Sequence, residues 1–563
     1  MTTRVERPLP QPTLASAEFW SSGADGVLRI PHCGDCGRHF HPPLPVCPSC
    51  RSRAVALAPV SGRAVVVGFS VNHQTWLPKF PPPYVVAVVA LAEDDRARLT
   101  TNIVGCDSDE VRVGLRVRVC FEQLEEDVYV PLFEPEPQTD AETDAETEAA
   151  EGPGPLPEPR DVRTALRPMA SPRKYEDRVA LTGVGQSRVG RRLMADPLSL
   201  TVDACLAAVA DAGLDLDEID GLSTYPGPSP DGMSEGGVTA LTEALQLRPT
   251  WANGAREVPG QIGSITAGML AVAAGLCRHV LCFRTVWESS HSALVRSGRW
   301  KASSGGRATG MFEFRAPFGA MSAAQWIGCN ASHYMHRYGV GREALGAIAV
   351  TARANAARNP EALHRDPMTL DDYFDARVIT TPFGLYDCDV PCDGAVAVVV
   401  SAIETAYDRP RPPVLVEAVG TAVLERLSWD QDTLTHLPQS HSPSAHLWTR
   451  TDLTPADVDV ALLYDGFTFN ALSWIEGLGF CGPGEATDFV AGGKTIALDG
   501  DLPLNPHGGQ LSAGRLHGFG FVREAMLQLR GDAPDRQVDD ARVAVVTAGG
   551  GVPSGAMLLR RAE

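Results

Sequence analysis

The chain has 563 residues, of which 44% are apolar, and a formal net charge of -20 at pH 7. The length indicates several domain-sized units, and the negative charge argues against nucleic acid or an anionic membrane surface as a general partner. No apolar run reaches the ~18 residues of a membrane span, and the first residues lack a signal-peptide core, so we expect a cytoplasmic protein whose cysteines are thiols or metal ligands.

Four cysteines near the N-terminus predict a zinc site. They form two CxxC pairs separated by ten residues: Cys33, Cys36, Cys47 and Cys50. Four thiolates on two such turns can surround Zn²⁺ tetrahedrally and leave no position for water, so the metal would be structural. We predict a zinc ribbon over residues 15–54, with a short helix at Ala15–Trp20. His39 and His41 lie between the pairs and are expected at the surface rather than among the ligands.

Residues 55–133 predict a small β-barrel. Five short segments there are rich in β-branched residues and end at turn residues: Ala64–Ser70, Tyr84–Leu91, Arg98–Val104, Arg112–Phe121 and Val128–Phe133. With the CxxC pairs and the stretch Val111–Phe121, VRVGLRVRVCF, residues 15–135 resemble the DUF35 family, a rubredoxin-like zinc ribbon followed by an OB-fold. That resemblance implies a thiolase-like partner. The barrel lacks the basic and aromatic face that nucleic-acid binding needs.

Residues 134–172 predict a linker. Between Glu134 and Arg160 the chain carries nine acidic residues and one basic residue, with many prolines and glycines. Such a composition cannot bury a core and favours an extended, mobile segment. Its length would let the zinc-containing unit dock on its own chain or on a neighbouring chain, and the sequence leaves both arrangements open.

From about Asp177 onward, strands and helices alternate, and their order recurs. The first half, 177–408, contains these predicted elements in chain order: Val179–Val184, Leu198–Ala212, Ile219–Thr224, Gln261–Gly275, His279–Val286, Ala323–Tyr338, Arg342–Asn359 and Ala395–Val400. The second half, 412–563, repeats part of that order: Val414–Thr421, Leu453–Asp465, Phe519–Gly531 and Ala541–Gly549. Two similar halves predict an α/β fold whose two sheets pack through shared central helices.

The stretch Val458–Leu478 holds the first candidate site. Its apolar run Val458–Leu463 predicts a buried parallel strand, and a helical pattern begins at about Phe467. Between them stand Tyr464 and Asp465. Because open α/β sheets bind their ligands at the carboxyl ends of strands, this phenol and this carboxylate are candidate functional groups.

Several motifs in residues 177–563 resemble the thiolase superfamily. Asn505–Gly509, NPHGG, and Gly514–Gly518, GRLHG, are similar to the thiolase segment NPxGGxxxxGHPxG, and a triple glycine is similar to its C-terminal turn. Pro382–Val400 is similar to a strand segment of sterol-carrier-type thiolases. The resemblance implies the layered αβαβα thiolase fold, a homodimer, and a coenzyme A thioester as substrate.

The positions of the thiolase catalytic groups are changed in this chain. No cysteine lies between Leu206 and Leu276, where the thiolase nucleophile begins the central helix. Tyr464 stands at the first thiolase histidine, Arg515 at the second, and Thr547 near the C-terminal cysteine. Because Claisen chemistry needs a thiolate that can be acylated, we do not expect thiolase activity.

The YDGFT stretch at Tyr464 instead resembles Ltp2-type aldolases of steroid side-chain degradation, which lack the cysteine and work with a DUF35 partner. This implies a fused pair, a carbon–carbon lyase that cleaves or forms a bond of a β-hydroxyacyl-CoA. A retro-aldol reaction needs a base for the 3-hydroxyl, a stabilised enolate oxygen and a proton for the α carbon. It yields an aldehyde or ketone and a shortened acyl-CoA.

Tyr464 is the candidate base. A free phenol has a pKa of about 10, so Arg515 is expected to lower that pKa or to stabilise the enolate. At the position of Arg515 the resemblance to the Ltp2-like enzymes is weaker, because those enzymes have a second tyrosine there. His517 is therefore a candidate for the acid–base group that the second tyrosine would supply. Asp465 is expected to cap the helix or orient its neighbours. Tyr464 as a packed strand-end residue and His517 as an ordinary loop residue remain the alternatives.

The oxyanion site implied by the thiolase resemblance falls on the backbone N–H groups of three consecutive residues: Gly549, Gly550 and Gly551. His507, in the NPHGG loop, is a further candidate for substrate binding. Tyr386 and Asp387 repeat the Tyr-Asp pattern and are expected to be structural. Two other functions stay open: an acyltransferase or condensing enzyme of a biosynthetic pathway, and an inactive scaffold that binds acyl-CoA. An acyl-CoA hydratase is a candidate partner.

Overall fold

A computed structural model of the chain describes residues 5–137, 173–229, 232–300, 306–423, 437–549 and 554–563. The linker predicted at 134–172 lies outside these ranges except for residues 134–137. Among the helices of the described ranges, none is long and apolar enough to cross a membrane.

The N-terminal unit is a two-stranded ribbon. Strands β1 (Arg29–Cys33) and β2 (Val55–Pro59) pair antiparallel, and helix α1 (Ala17–Ser21) lies before them with Phe19 and Trp20 buried. The predicted N-terminal helix is confirmed, displaced by one or two residues.

Five antiparallel strands form the barrel: β3 (Arg63–Asn72), β4 (Tyr84–Leu91), β5 (Asp94–Thr101), β6 (Arg116–Glu125) and β7 (Val128–Pro135). All five predicted strands are present, but the fourth begins four residues later than expected. Gly114 adopts a φ of +88°, in the left-handed region, so the chain turns there before it can extend. The interior is a cluster of valine, leucine and phenylalanine side chains from alternate positions.

The remaining residues form the α/β unit. Its strands are β8 (Val179–Gln186), β9 (Gly221–Thr224), β10 (Trp251–Asn253), β11 (His279–Trp287), β12 (Val378–Thr380), β13 (Phe383–Gly384), β14 (Asp393–Ala402), β15 (Val414–Gly420), β16 (Val460–Leu462), β17 (Val543–Ala548) and β18 (Gly555–Arg561). Its helices are α2 (Pro197–Asp211), α3 (Gly237–Leu245), α4 (Gly263–Ala273), α5 (Glu288–Arg296), α6 (Ala323–Tyr338), α7 (Glu343–Ala357), α8 (Leu370–Asp375), α9 (Ile403–Ala406), α10 (Leu437–Trp448), α11 (Thr468–Leu478), α12 (Ala486–Phe489) and α13 (Phe519–Arg530).

The strand order confirms the internal repeat. One nine-stranded path runs β10-β9-β11-β14-β8-β15-β18-β17-β16. The run β9-β11-β14-β8 of the first half corresponds, in mirrored order, to β15-β18-β17-β16 of the second. Helix α13 contacts strands of both halves, as expected of a shared central helix. The two halves also meet edge to edge, because β8 and β15 pair over two residue positions.

The barrel packs on the α/β unit. Strand β12 pairs with β3 at Thr380 and Asn72, so the α/β unit extends the barrel sheet. Helix α6 lies across β3, and the backbone of Cys329 comes so close to Gly68 that a Cβ there would lie 2.5 Å from the Cys329 carbonyl oxygen. Only glycine allows this approach.

Buried polar contacts reinforce this docking. The Arg7 guanidinium donates to Asn102 of the barrel at 2.6 Å and to the carbonyl oxygen of Pro317 at 2.8 Å. The Glu313 carboxylate accepts from the Trp20 indole nitrogen at 2.8 Å and from the Ser16 hydroxyl at 2.5 Å. Because these groups are buried, each needs the partner that the other unit supplies.

Candidate active site and metal site

The four ribbon cysteines are gathered as a zinc ribbon requires. Their sulfur atoms all lie within 4.8 Å of one another. The Sγ atoms of Cys33 and Cys50 are 3.5 Å apart, and those of Cys36 and Cys47 are 3.6 Å apart. A tetrahedral Zn²⁺ with bonds of about 2.3 Å places its sulfur ligands about 3.8 Å apart. This donor set fits a structural zinc ion.

The two histidines between the cysteine pairs are not among this group. His39 is half-buried, but the prediction that His41 lies at the surface is wrong. Its ring is 3% exposed and packs against Phe19 at 5.1 Å and Phe314 at 5.0 Å between centroids. The docking of the α/β unit covers it, which the local sequence does not reveal.

Tyr464 lies two residues after the end of β16, at the strand end as predicted, and is 8% exposed. Its backbone N–H donates to the Thr547 hydroxyl at 2.8 Å, across the neighbouring β17. A side chain on Gly466 would lie 2.7 Å from the Tyr464 ring, so glycine makes room for the phenol at the strand end. Thr547, at the position of the C-terminal thiolase cysteine, therefore anchors Tyr464.

Asp465 holds the NPHGG loop against the strand end. Its two oxygens accept from the Gln510 backbone N–H at 2.8 Å and from the Asn505 side chain at 3.1 Å. Asn505 also exchanges hydrogen bonds with both backbone groups of Leu463, each at 2.9 Å. Among the described residues, no hydrogen bond joins the Asp465 side chain to the start of α11, whose N-cap is Phe467. Of the two expected roles the structure therefore shows orientation of neighbours and not helix capping. Burial raises the pKa of the Asp465 carboxyl to about 7.

Arg515 lies in an ion-pair cluster. Its guanidinium contacts Glu288, at the start of α5, at 2.8 Å and Asp389 at 2.9 Å. Burial opposes its charge, but these two carboxylates outweigh burial and raise the pKa of Arg515. Asp389 is buried, and burial raises the pKa of its carboxyl to about 7 although Arg515 acts in the opposite direction. Asp389 also reaches the strand end, because its backbone N–H donates to the Gly466 carbonyl oxygen at 3.1 Å.

The pKa of Tyr464 is raised, not lowered as expected. Burial is the largest cause, and the negative charge of Asp389 adds to it. Arg515 and the Gln510 side chain act in the lowering direction, so the expected sign of the Arg515 effect is correct. The effect of Arg515 is too small to lower the pKa of Tyr464 below its ordinary value, because two carboxylates already neutralise the guanidinium.

His517 is buried. It follows Arg515 closely in the sequence, but its side chain contacts a different partner. Its backbone has a φ of +48°, uncommon for a residue with a side chain, and its N–H donates to the Gln510 side-chain oxygen at 3.0 Å. Its Nδ1 accepts from the Arg284 guanidinium at 2.9 Å. Burial first, and then the cations Arg284 and Arg515, hold the pKa of His517 well below its usual value.

His507 lies outside this cluster. The Phe521 ring contacts both residues and lies between them, with centroids 5.4 Å from His507 and 6.4 Å from Tyr464. Its Nδ1 has no hydrogen-bond partner among the described residues, and it lines a cavity of about 20 Å³ together with Gln510, which has room for about one water. Burial lowers the pKa of His507 to about 4.

The expected oxyanion turn is only partly described. The Gly549 carbonyl oxygen accepts from the Trp474 indole at 3.2 Å, while Gly550 and Gly551 lie outside the described residues. The end of β17 also meets the start of α4. A Cβ at Gly518 would lie 2.9 Å from the Ala548 side chain and 3.2 Å from Ile262, the N-cap of α4.

Asp387 is structural, as predicted. Its buried carboxylate accepts from the hydroxyls of Tyr373 at 2.7 Å and Thr468 at 2.6 Å. It also accepts from the Gly384 N–H at 2.7 Å and contacts Arg342 at 3.2 Å. These bonds tie β13, next to the barrel sheet, to the first residue of α11. They thereby position the segment that carries Asp389.

A larger cavity of about 830 Å³ lies where β11 ends, beside Glu288 in the chain. Its lining combines apolar side chains with two carboxylates and one arginine: Met194, Pro228, Trp287, Leu294, Trp300, Asp196, Glu235 and Arg299. The volume is within the range of small-molecule sites, about 300–1,000 Å³.

Sequence reasoning missed four residues of this site: Arg284, Glu288, Asp389 and Gln510. A signal existed for the first two. Arg284 and Glu288 lie at the carboxyl end of a predicted strand, the same place that singled out Tyr464. Asp389 and Gln510 lie in irregular segments, and only the fold brings them to Tyr464.

Three family models match the chain. They are described as the ChsH2 rubredoxin-like zinc ribbon domain, over residues 20–56, the ChsH2 C-terminal OB-fold domain, over 58–122, and the thiolase C-terminal domain-like family, over 420–559. The first two matches confirm the DUF35-type ribbon and barrel, and the third confirms the thiolase-like second half.

The α/β unit is similar to known aldolases. The chain is 35% identical to a steroid side-chain-cleaving aldolase of Thermomonospora curvata, over 68% of this chain and 97% of that protein. It is 33% identical to the 17-hydroxy-3-oxo-4-pregnene-20-carboxyl-CoA lyase of Mycobacterium tuberculosis, over 68% and 98%. A solved structure, the Ltp2-ChsH2(DUF35) aldolase, is 32% identical, with a TM-score of 0.60 and coverage of 68% and 98%. The chain therefore belongs to this family of thiolase-fold aldolases: it is a carbon–carbon lyase that acts on acyl-CoA, fused to its own DUF35-type zinc ribbon and OB-fold.

Proposed function

We propose that the chain cleaves the bond between the α and β carbons of a bulky β-hydroxyacyl-CoA by a retro-aldol reaction, with Tyr464 as the general base. The observation that carries the proposal is the convergence of Tyr464, Arg515 and Asp389 at one strand end, with a backbone contact between Asp389 and Gly466 and electrostatic coupling of the phenol to both charges. No acyl-enzyme is needed, which agrees with the missing cysteine.

The reaction balances without a cofactor. The Tyr464 phenolate takes the proton of the 3-hydroxyl, the oxygen becomes a carbonyl, and the bond between the α and β carbons breaks. The electron pair of that bond forms the thioester enolate, whose α carbon then takes the proton back from the Tyr464 phenol, which restores the phenolate. Arg515 stabilises the negative charge on the phenolate before the transfer and on the enolate after it. Backbone N–H groups of Gly549, Gly550 and Gly551 are proposed to face the same oxygen.

The buried carboxyl of Asp389 is the competing base, since its pKa of about 7 suits proton transfer near neutrality. The two assignments differ in their dependence on pH. With Tyr464 as base, kcat/KM should rise about tenfold per pH unit up to pH 9 without a plateau, because the raised pKa leaves only a small ionised fraction. With Asp389 as base, kcat/KM should level off above about pH 7.

The test is a mass-spectrometric screen of β-hydroxyacyl-CoAs of varied bulk for retro-aldol products. Tyr464→Phe should reduce turnover by at least about 100-fold, the lower range for loss of a general base, with the fold intact. Tyr386→Phe is the matched control, since Tyr386 belongs to a second Tyr-Asp pair outside the site and should keep full activity. Undiminished turnover in Tyr464→Phe would remove the tyrosine from the mechanism.

We propose a polycyclic, steroid-like acyl group as the substrate class. Two relatives carry steroid substrates in their names, and the cavity at the end of β11 has aromatic and aliphatic walls and suitable volume. Trp300→Ala should raise KM for bulky acyl-CoAs and leave KM for short-chain ones unchanged. An equal effect on both would place the acyl group elsewhere.

We also propose the homodimer and the hydratase partner that the resemblance implies. One edge of the nine-stranded sheet is β10, a three-residue strand bonded on one side only within the described residues. Light scattering of the purified chain would measure its mass in solution. A hydratase is the reaction class that supplies a β-hydroxyacyl thioester, by adding water to an unsaturated one. Co-purification with such an enzyme would test the contact.

A further inference from the structure

Arg284 is a buried cation that has no role in the reaction proposed above. It lies on β11 and is 1% exposed. One of its terminal nitrogens donates to the carbonyl oxygens of Tyr225 at 2.8 Å and Met233 at 2.6 Å, and the other contacts His517 Nδ1 at 2.9 Å. Its guanidinium carbon lies 5.3 Å above the Tyr225 ring.

Within the described residues, the side chain of Arg284 hydrogen-bonds to carbonyl oxygens, a thioether sulfur and an imidazole but to no carboxylate, and its Nε has no hydrogen-bond partner there. The acidic groups that act on it, Glu288, Glu235, Tyr225 and Tyr464, do so through space. Burying a cation without a paired anion is costly. Retaining such a group next to the candidate base indicates a function for its charge or its geometry.

The contact with His517 decides which ring nitrogen carries the proton. A guanidinium donates hydrogen bonds and accepts none, so His517 Nδ1 must be the acceptor. The neutral ring then carries its proton on Nε2. The backbone of His517 is held as well, by its φ of +48° and by the bond from its N–H to Gln510, so the direction of the Nε2–H group is determined.

We propose that Arg284 is a positioning residue that fixes His517 in the tautomer with its proton on Nε2, so that His517 donates a hydrogen bond to the thioester oxygen as the enolate forms. This rests on the retro-aldol reaction proposed above. It gives His517 the role of a neutral donor in place of the acid–base role expected from the sequence. The positive charge of Arg284 behind the ring strengthens that donor.

A pair of substitutions separates the two roles. Glutamine places an amide N–H near the position of His517 Nε2 but cannot exchange a proton at neutral pH. His517→Gln should therefore keep at least tenfold more kcat than His517→Ala, with KM similar in both, because the hydrogen bond strengthens in the transition state. If the glutamine and alanine variants lose the same activity, the donor role is overturned.

The role of Arg284 is tested by kcat. Arg284→Met removes the donor to Nδ1, so the ring can carry its proton on either nitrogen and kcat should fall, whereas Arg284→Lys, which can still donate to Nδ1, should restore part of it. In the double variant Arg284→Met with His517→Gln, the first change should cause no further loss relative to His517→Gln alone, because glutamine has no ring tautomer to fix. A further loss would show that Arg284 acts otherwise than through His517, which overturns the proposal.

One measurement does not depend on turnover. Histidine ¹⁵N shifts of the intact protein, assigned to His517 by comparison with His517→Gln, report which ring nitrogen is protonated. Protonated Nε2 and bare Nδ1 at pH 7 support the proposal, and a protonated Nδ1 overturns it even if the enzyme is active. Conversely, full activity in Tyr464→Phe would refute the proposed base while leaving this tautomer result intact. Should Arg284→Met not fold, the His517 variants and these shifts still decide.

Discussion

The contact between Gly68 and α6 gives a sharp prediction about the docking of the barrel. The Cβ of Gly68→Ala would lie 2.5 Å from the Cys329 carbonyl oxygen, whereas ordinary contacts begin at 3.4 Å. The obstacle is backbone of a helix, so it cannot rotate away, and β3 and α6 must separate by about 0.9 Å. The φ of Gly68 is not in the left-handed region, so this separation is the main consequence.

That displacement costs hydrogen bonds as well as packing. The Phe69 N–H donates to Ser332 at 2.9 Å, and the Ser70 hydroxyl donates to the Gln325 carbonyl oxygen at 3.2 Å. A shift of about 0.9 Å lengthens both beyond bonding distance, at roughly 0.5–1.5 kcal/mol each. Overpacking by itself costs about 1–3 kcal/mol. We expect the docking free energy to fall by about 2–6 kcal/mol, a factor of roughly 30 or more in the docking equilibrium.

The assay uses a protease site introduced in the linker, within 138–172. After cleavage of the native chain, the zinc-containing fragment should remain bound and elute with the α/β unit. Cleaved Gly68→Ala should dissociate at a protein concentration about 30-fold higher or more. Gly306→Ala is the control, because nothing lies within 4 Å of a Cβ there and its φ is ordinary. Equally tight fragments in the native chain and in Gly68→Ala would refute the docking geometry.

Three further outcomes are expected. Chelation of zinc should unfold the ribbon and expose the buried Trp20. The tryptophan fluorescence of the native chain should then shift to the red, whereas that of Trp20→Phe should not. An unchanged spectrum of the native chain would contradict a structural role of zinc. Gly509→Ala brings its Cβ into collision with a carboxylate oxygen of Asp465 at a φ of +60°, and this variant should lose most activity. Gly492→Ala is the control: it has a similar φ but lies in open space, so it should lose only about 1 kcal/mol of stability. Equal effects would make the backbone strain at positive φ alone responsible. Burial raises the pKa of Asp389 to about 7. The contribution of Asp389 to stability is therefore present below about pH 4 and is lost as the pH rises toward 7. The melting temperature of Asp389→Asn relative to that of the native chain should increase over that window, and a constant difference would contradict the raised pKa.

Much of the site was accessible from the sequence because it depends on local patterns. The strand that ends at Tyr464 is an apolar run, and the CxxC spacing depends only on the geometry of two turns. The loop from Asn505 onward was recognisable from its motif. These features need no knowledge of which distant segments meet.

The electrostatics of the site were not accessible in the same way. Arg515 is at the expected place, but Glu288 and Asp389 neutralise it from segments more than 100 residues away. The phenol of Tyr464 is consequently governed by burial rather than by the nearby cation. His517 was singled out, but its partner Arg284 is on another strand, and that partner determines what the imidazole can do.

The sequence by itself determined the zinc ribbon, the barrel strands, most of the longer strands and helices of the α/β unit, the duplication and the loss of the thiolase nucleophile. All of these follow from the residue types of short segments. The tertiary structure decided how the barrel packs on the α/β unit, which charges surround the phenol and which side chain contacts Nδ1 of His517. Those properties depend on desolvation and on contacts between segments far apart in the chain, and neither is encoded in local spacing.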